Sequence, residues 1–279
     1  MSYTTRFAPS PTGPLHLGHA YSALIAHGRA SDMDGQFLLR IEDIDTERSK
    51  PEWETLIFDD LHWLGLDWPE PVMRQSARLP AYRAAIGRLI ALGICFPCRC
   101  TRTDIRAALS APQENVGPDD LVYPGTCRAR PMSDAGPGDA VRLNIAAAMD
   151  HLGRDVEFTE NGSLHRGRHV FTPSMAVAGI GDIVLARRDI GTSYHLSVVV
   201  DDAEQEITEV VRGDDLFSAT PVHAVLQDLL GLWHPDYFHH DLIRDETGKR
   251  LAKRDDARAI SNYCAGGAGP DEIRRMVGF

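Results

Sequence analysis

Apolar positions along this chain switch repeatedly between two periods. Residues 4–8 form a short run hemmed in by Pro9, Pro11, Gly13 and Pro14, which reads as a strand entering a proline-stiffened loop. From Leu15 the spacing changes: Leu17, Tyr21, Leu24, Ile25 and Gly28 recur at three- and four-residue steps, the period of an amphipathic helix. Gln36–Ile41 is a compact apolar run suited to a buried parallel strand, and residues 53–64 and 82–92 predict two further helices, the second ended by Gly93. Alternation of this kind predicts an α/β fold of the Rossmann type, with a doubly wound parallel sheet.

The alternation breaks near Cys95, where cysteine, proline and glycine enter, and residues 111–138 are rich in turn formers with no sustained period. Residues 98–187 are therefore expected to form an inserted α+β subdomain. Strand-like runs return at 194–200 and 206–211, and 219–230 has helical spacing, so residues 1–97 and 188–279 are expected to form one split catalytic domain. The short tail beyond Lys253, with Gly266, Gly267, Gly269 and Pro270, has no room for a further large domain.

Composition narrows the function classes. With 43% hydrophobic and 25% charged residues the chain is ordinary globular material, and five cysteines are too few for a disulfide scaffold. Three of them, Cys95, Cys98 and Cys100, crowd together, which suggests a metal. The start lacks a basic, then apolar, leader, and no run of about eighteen apolar residues occurs, so a cytoplasmic protein without a membrane span is expected. A formal net charge of −11 argues against generic nucleic-acid binding. The basic residues are nevertheless uneven: Arg99, Arg102, Arg106, Arg128 and Arg130 surround the cysteines, and Arg250, Lys253, Arg254 and Arg258 lie near the end.

The chemistry concentrates where the first strand meets the first helix. His16 and His19 fall three residues apart at a helix start, hence on one face, with Gly18 between them. Unpaired N–H groups and the positive dipole end suit phosphate, imidazoles can donate to a transferring adenylyl group, and Gly18 lets a flat ligand approach the backbone. In an α/β chain, nucleotides bind at the carboxyl ends of the strands.

The segments RFAPSPTGPLHLGHA and LLRIEDIDTERS together resemble the HIGH-motif region, and the segment after it, of the glutamyl class I aminoacyl-tRNA synthetases. Arg250-Leu-Ala-Lys253-Arg254 occupies the place of that family's KMSKS loop, with arginine for the first lysine and alanine for the serine. The resemblance implies ATP binding, as its Mg2+ complex, by His16, Gly18, His19, Arg250 and Lys253, with His16, His19 and Lys253 as catalytic residues. It also implies an L-glutamate pocket of Arg6, Ala8, Ser10, Glu42, Tyr194 and Arg212. Glutamate's ammonium and two carboxylates require one acid and several donors, and that set supplies them. On the residues alone, Glu42 could instead pair with Arg40 or Arg48, and Tyr194 could be a half-buried strand tyrosine.

For the metal, a structural Zn2+ site requires four closed ligands, and the residues alone would call for a histidine or Cys95 beside the other thiols. The resemblance implies Cys98, Cys100, Tyr123 and Cys127. The expected lack of an anticodon-binding domain likens the chain to short paralogues of the family, monomers expected to attach glutamate to the queuosine base of tRNA(Asp). Left open are a compact synthetase charging a 3′ end, a small-molecule nucleotidylyltransferase using the same histidine pair, and a silent RNA-binding paralogue.

Overall fold

A computed structural model describes residues 2–108, 122–243 and 259–279. Arg250 and Lys253 lie outside the described residues. The elements are β1 (Thr4–Phe7), α1 (Leu17–Asp32), β2 (Gln36–Ile41), α2 (Pro51–Trp63), β3 (Met73–Arg74), α3 (Leu79–Ala91), β4 (Cys95–Cys98) and α4 (Arg102–Ala108). There follow β5 (Ala140–Leu143), α5 (Ile145–Leu152), β6 (Val156–Glu160), β7 (Gly167–Phe171), α6 (Pro173–Gly179) and β8 (Val184–Ala186). The last are α7 (Tyr194–Glu204), β9 (Glu209–Gly213), α8 (Thr220–Leu230), β10 (Asp236–His240), α9 (Ile260–Ala265) and α10 (Pro270–Met276).

Wholly buried β1 pairs in parallel with β2, Thr4 opposite Gln36 and Phe7 opposite Leu39, and β2 pairs in parallel with β3. Only glycine fits the turn into β2: a Cβ at Gly35 would lie 2.3 Å from the Tyr3 carbonyl oxygen. A second sheet runs β7-β6-β10-β9, with β9, β10 and β6 parallel and β7 antiparallel. It adjoins the first where the Thr208 N–H donates to the Thr4 carbonyl at 3.0 Å and the Thr4 N–H to Thr208 Oγ1 at 2.8 Å. The parallel strands β1, β2, β9 and β10 therefore deliver their carboxyl ends to one region, the crevice where α/β folds bind ligands.

Residues 98–187 divide between two surroundings. β4, β5 and β8 make a separate antiparallel sheet, whereas β6 and β7 belong to the larger sheet beside β10. One hydrophobic cluster packs α1, α2 and α10 onto β1 and β2, and a second joins α3, α5, α7 and α8 to β6, β9 and β10.

Residues 194–200, expected as a strand, are the first turns of α7. Ser193 caps that helix, its hydroxyl accepting the Leu196 N–H at 3.4 Å. His195, Leu196, Ser197, Val198 and Val199 are all buried, so polar and apolar faces do not alternate. A helix buried all round carries the same run of apolar residues as a buried strand, and the β-branched valines tip the pattern toward strand. Among the described residues, no helix is long and apolar enough to cross a membrane.

Candidate active site

The loop after β1 leads into α1 through a cap built from the two histidines. His16 Nδ1 accepts the Gly18 N–H at 3.1 Å and His19 Nδ1 accepts the His16 N–H at 3.2 Å. Their rings stack with centroids 3.8 Å apart. Because each Nδ1 accepts a backbone N–H, each neutral ring carries its proton on Nε2, the atom that can donate to phosphate oxygen. A Cβ at Gly18 would stand 3.1 Å from His16 Cε1 and 3.2 Å from Nδ1. Gly18→Ala is therefore expected to push the His16 ring aside and raise the KM for ATP about 10-fold. Thermal melting of the same variant should be nearly unchanged, because the residue sits at the helix start and not in the core.

His16, Gly18 and His19 line a cavity of about 410 Å3, and so do Arg6, Ala8, Ser10, Glu42, Tyr194 and Arg212. Six residues that the family resemblance collects from distant stretches as a glutamate pocket thus meet at one place. Each stands at a strand end or on α7: Ala8 and Ser10 follow β1, Glu42 follows β2, Arg212 is near the end of β9, and Tyr194 begins α7. Leu242 and Ile243, beyond β10, complete one wall. Ala259 pairs with His16, and the Ile260 N–H donates to the Leu15 carbonyl at 2.9 Å.

Asp202 of α7 fixes two arginines at once. Its Oδ1 accepts Arg6 Nε–H at 3.1 Å and Arg40 Nη1–H at 2.7 Å. Arg40, fully buried, also donates from Nη2 to Glu42 Oε1 at 3.1 Å. Glu42 is thus both an ion-pair partner of Arg40 and a wall of the cavity. Burial pushes the Glu42 carboxyl up from its usual range, opposed by Arg40 and Arg6, so a ligand ammonium beside it would favour its ionised form. Burial likewise opposes ionisation of Asp202, but Arg6 and Arg40 overcome it and hold its carboxyl below the usual carboxylate range. The Tyr194 phenol, raised by burial, stays protonated and can donate a hydrogen bond.

Arg212, 5% exposed, is held from three sides. Its Nε–H donates to His239 Nε2 at 3.0 Å, Nη1 meets His223 Nδ1 at 3.2 Å, and Nη2 donates to Thr220 Oγ1 at 2.8 Å. Sequence reasoning found neither these partners nor Asp202. The one available signal was the acidic pair Asp201-Asp202 closing an apolar run, since acids in a buried segment need cationic partners. Asp201 meets that need elsewhere, accepting from Gln75, Arg78 and Tyr82 at 2.9, 3.1 and 2.7 Å.

Away from this cavity, the sulfurs of Cys98, Cys100 and Cys127 lie within 4.8 Å of one another. The Tyr123 hydroxyl is 3.4 Å from Cys98 Sγ and 3.5 Å from Cys100 Sγ, and Cys100 Sγ is 3.5 Å from Cys127 Sγ. Ligands around one tetrahedral ion with metal–sulfur bonds of about 2.3 Å would stand about 3.8 Å apart for two sulfurs and about 3.5 Å for sulfur and oxygen. Three thiols and a phenol at these spacings fit a closed four-ligand metal site. Cys95 is not one of them; it packs in the larger hydrophobic cluster with Leu143 and Ile145.

The same architecture occurs in solved synthetases. A glutamate tRNA ligase from Elizabethkingia meningosepticum, in complex with its amino acid, superposes with a TM-score of 0.77 at 25% identity, over 100% of this chain and 61% of that one. Mycobacterium tuberculosis methionyl-tRNA synthetase bound by methionyl-adenylate, at 12% identity and a TM-score of 0.58, covers 99% of this chain and 64% of its own, and shares the fold alone. The chain thus spans about three fifths of these solved relatives, and its fold is the class I synthetase-like α/β fold with a parallel sheet. Residues 2–277 match the family of class I tRNA synthetases (E and Q), catalytic domain, and the chain belongs to that family. The glutamyl-Q tRNA(Asp) synthetase of Rhodobacter capsulatus is 57% identical over 99% of both chains. That of Nocardia farcinica is 41% identical over 98% of this chain and 82% of its own.

Proposed function

We propose that this chain is a ligase that activates L-glutamate with ATP as glutamyl-adenylate and transfers the glutamyl group to the queuosine base at the wobble position of tRNA(Asp). One observation carries the activation step: a single cavity joins the paired histidines and Gly18 of the α1 start to Glu42, Tyr194 and the guanidinium groups of Arg6 and Arg212. Glu42 takes the ammonium of glutamate, while Arg6, Arg212, Ser10 and Tyr194 receive its carboxylates. An α-carboxylate oxygen attacks the α-phosphate of Mg2+-bound ATP and pyrophosphate leaves. His16 and His19 donate from Nε2 to the charge that develops, aided by the helix start and, from outside the described residues, by Arg250 and Lys253. A hydroxyl of the acceptor then attacks the carbonyl of the mixed anhydride and AMP leaves. Positioning and charge neutralisation suffice, and no protein nucleophile takes part.

The choice of acceptor is supported by the relatives that share the full length of this chain under the name glutamyl-Q tRNA(Asp) synthetase. Its test is labelled glutamate with ATP and tRNA pools with and without queuosine. Label on the base of queuosine-containing tRNA(Asp) is expected, and label on the 3′ adenosine of unmodified tRNA would overturn the assignment.

We further propose that residues 98–187, of which β6 and β7 extend the larger sheet beside β10, act as an acceptor-facing insertion in the catalytic domain of 1–97 and 188–279. Cys98, Cys100, Tyr123 and Cys127 would hold Zn2+, which would join β4 to the segment carrying Tyr123 and Cys127. Protein purified without added zinc is expected to carry it in stoichiometric amount, and Cys127→Ser to lose both the zinc and several degrees of melting temperature. Zinc-free wild-type protein, or zinc retained by Cys127→Ser, would contradict the site.

A further inference from the structure

The cavity explains what Arg212 faces but not why so many imidazoles stand around it. His239 is 1% exposed, His223 2% and His195 6%, and neither His239 nor His223 lines the cavity. The two that touch Arg212 do so through different ring nitrogens: His239 through Nε2 and His223 through Nδ1. A guanidinium has five N–H donors and no acceptor, so both contacted nitrogens must be unprotonated acceptors.

The partners on the opposite side of each ring fix that state. His239 Nδ1 lies 2.5 Å from Glu160 Oε2, and Glu160 Oε1 accepts the His239 backbone N–H at 2.8 Å. Glu160 is itself 1% exposed. The carboxylate therefore accepts a hydrogen bond from the Nδ1–H of His239, which leaves Nε2 as the acceptor. His223 Nε2 lies 3.1 Å from His195 Nδ1, so its single proton points there and its Nδ1 accepts. Burial and Arg212 both oppose a second proton on His223. With Thr220 taking a third N–H, the guanidinium is clamped, and its remaining N–H groups are left for a ligand carboxylate.

We propose that His239 and His223 are positioning residues for the amino-acid substrate: two neutral rings, of opposite tautomer, that hold Arg212 in the orientation presented to a carboxylate of glutamate. They set affinity for glutamate and leave ATP binding and the transfer chemistry alone. The proposal rests on the glutamate reading of the cavity given above.

The two rings use different nitrogens, so they make opposite demands on substitution. Asparagine places its carbonyl oxygen near the position of Nδ1 and glutamine near that of Nε2. Glutamate-dependent pyrophosphate exchange is measured for His239→Gln, His239→Asn, His223→Asn and His223→Gln. His239→Gln and His223→Asn keep the acceptor and are expected to hold the KM for glutamate within about 3-fold of wild type. His239→Asn and His223→Gln lose it and should raise that KM about 10-fold or more, the effect of one buried hydrogen bond to a charged group, with kcat and the KM for ATP little changed. A merely structural role gives no such crossover, because all four variants exchange a ring for a polar amide. Equal effects at each position, or losses carried by kcat or by the KM for ATP, would overturn the proposal. Wild-type protein that exchanges no pyrophosphate with glutamate would instead overturn the reading of the cavity itself.

Discussion

Arg212→Leu is expected to remove nearly all glutamate activation while leaving the protein folded. The substitution removes the one cation that His239, His223 and Thr220 hold in place at the cavity wall. A substrate carboxylate brought into that wall would lose its counter-ion in a site largely shielded from water. Truncating one member of a buried, hydrogen-bonded charge pair typically costs about 3–5 kcal/mol, so kcat/KM for glutamate should fall on the order of a thousandfold. Leucine keeps much of the volume, and the orphaned imidazoles are neutral, so the melting temperature should drop by only a few degrees. Pyrophosphate exchange measured beside a circular-dichroism melt separates the two effects. Near-normal exchange in a folded Arg212→Leu protein would remove Arg212 from the pocket.

Asp202→Ala is expected to show the opposite signature, failing in stability first. Asp202 is 5% exposed and is the shared partner of Arg6 and Arg40, both nearly or fully buried. Removing it leaves two buried guanidinium groups with too little counter-charge, for which about 3–5 kcal/mol is expected. In a chain of this size that lowers the melting temperature by about 10 °C. The pH dependence follows from the depressed carboxyl of Asp202 in the folded chain. Its stabilising contribution is complete above the unfolded value of about 3.9 and is lost as pH falls through the lower folded value. The gap in stability between wild type and Asp202→Ala should therefore be constant near neutrality and close only below about pH 4. A gap that closed between pH 6 and 8 would mean that another group carries the effect.

The parts of this molecule legible in the sequence are those where local chemistry and periodicity agree. Prolines and Gly13 mark the loop before α1, and the spacing of His16 and His19 places both rings on one face of a helix start, where they stack. Arg6, Ser10, Glu42, Tyr194 and Arg212 are different: nothing in their local context distinguishes them, and the likeness of whole segments to one family was needed to gather them. Parallel strands explain why such distant residues converge, since each strand contributes what lies at its carboxyl end. The misread stretch, 194–200, failed because α7 is buried on most sides and so lacks the polar face that reveals a helix. Asp202, His223 and His239 left no mark for a related reason. A charged or titratable residue looks alike in sequence whether solvated or buried, and only packing shows that its partners are other charges.

The proposed function requires that one cavity set glutamate's carboxylate against the α-phosphate of ATP. Amino-acid-dependent exchange of labelled pyrophosphate into ATP, run with the wild-type chain in the presence of queuosine-containing tRNA and compared across L-glutamate, L-glutamine and L-aspartate, tests it most directly. Exchange that depends on glutamate, and is at least about a hundredfold weaker with the neutral amide or the shorter acid, is the expected result. Equal exchange with glutamine, or none with glutamate, would contradict it.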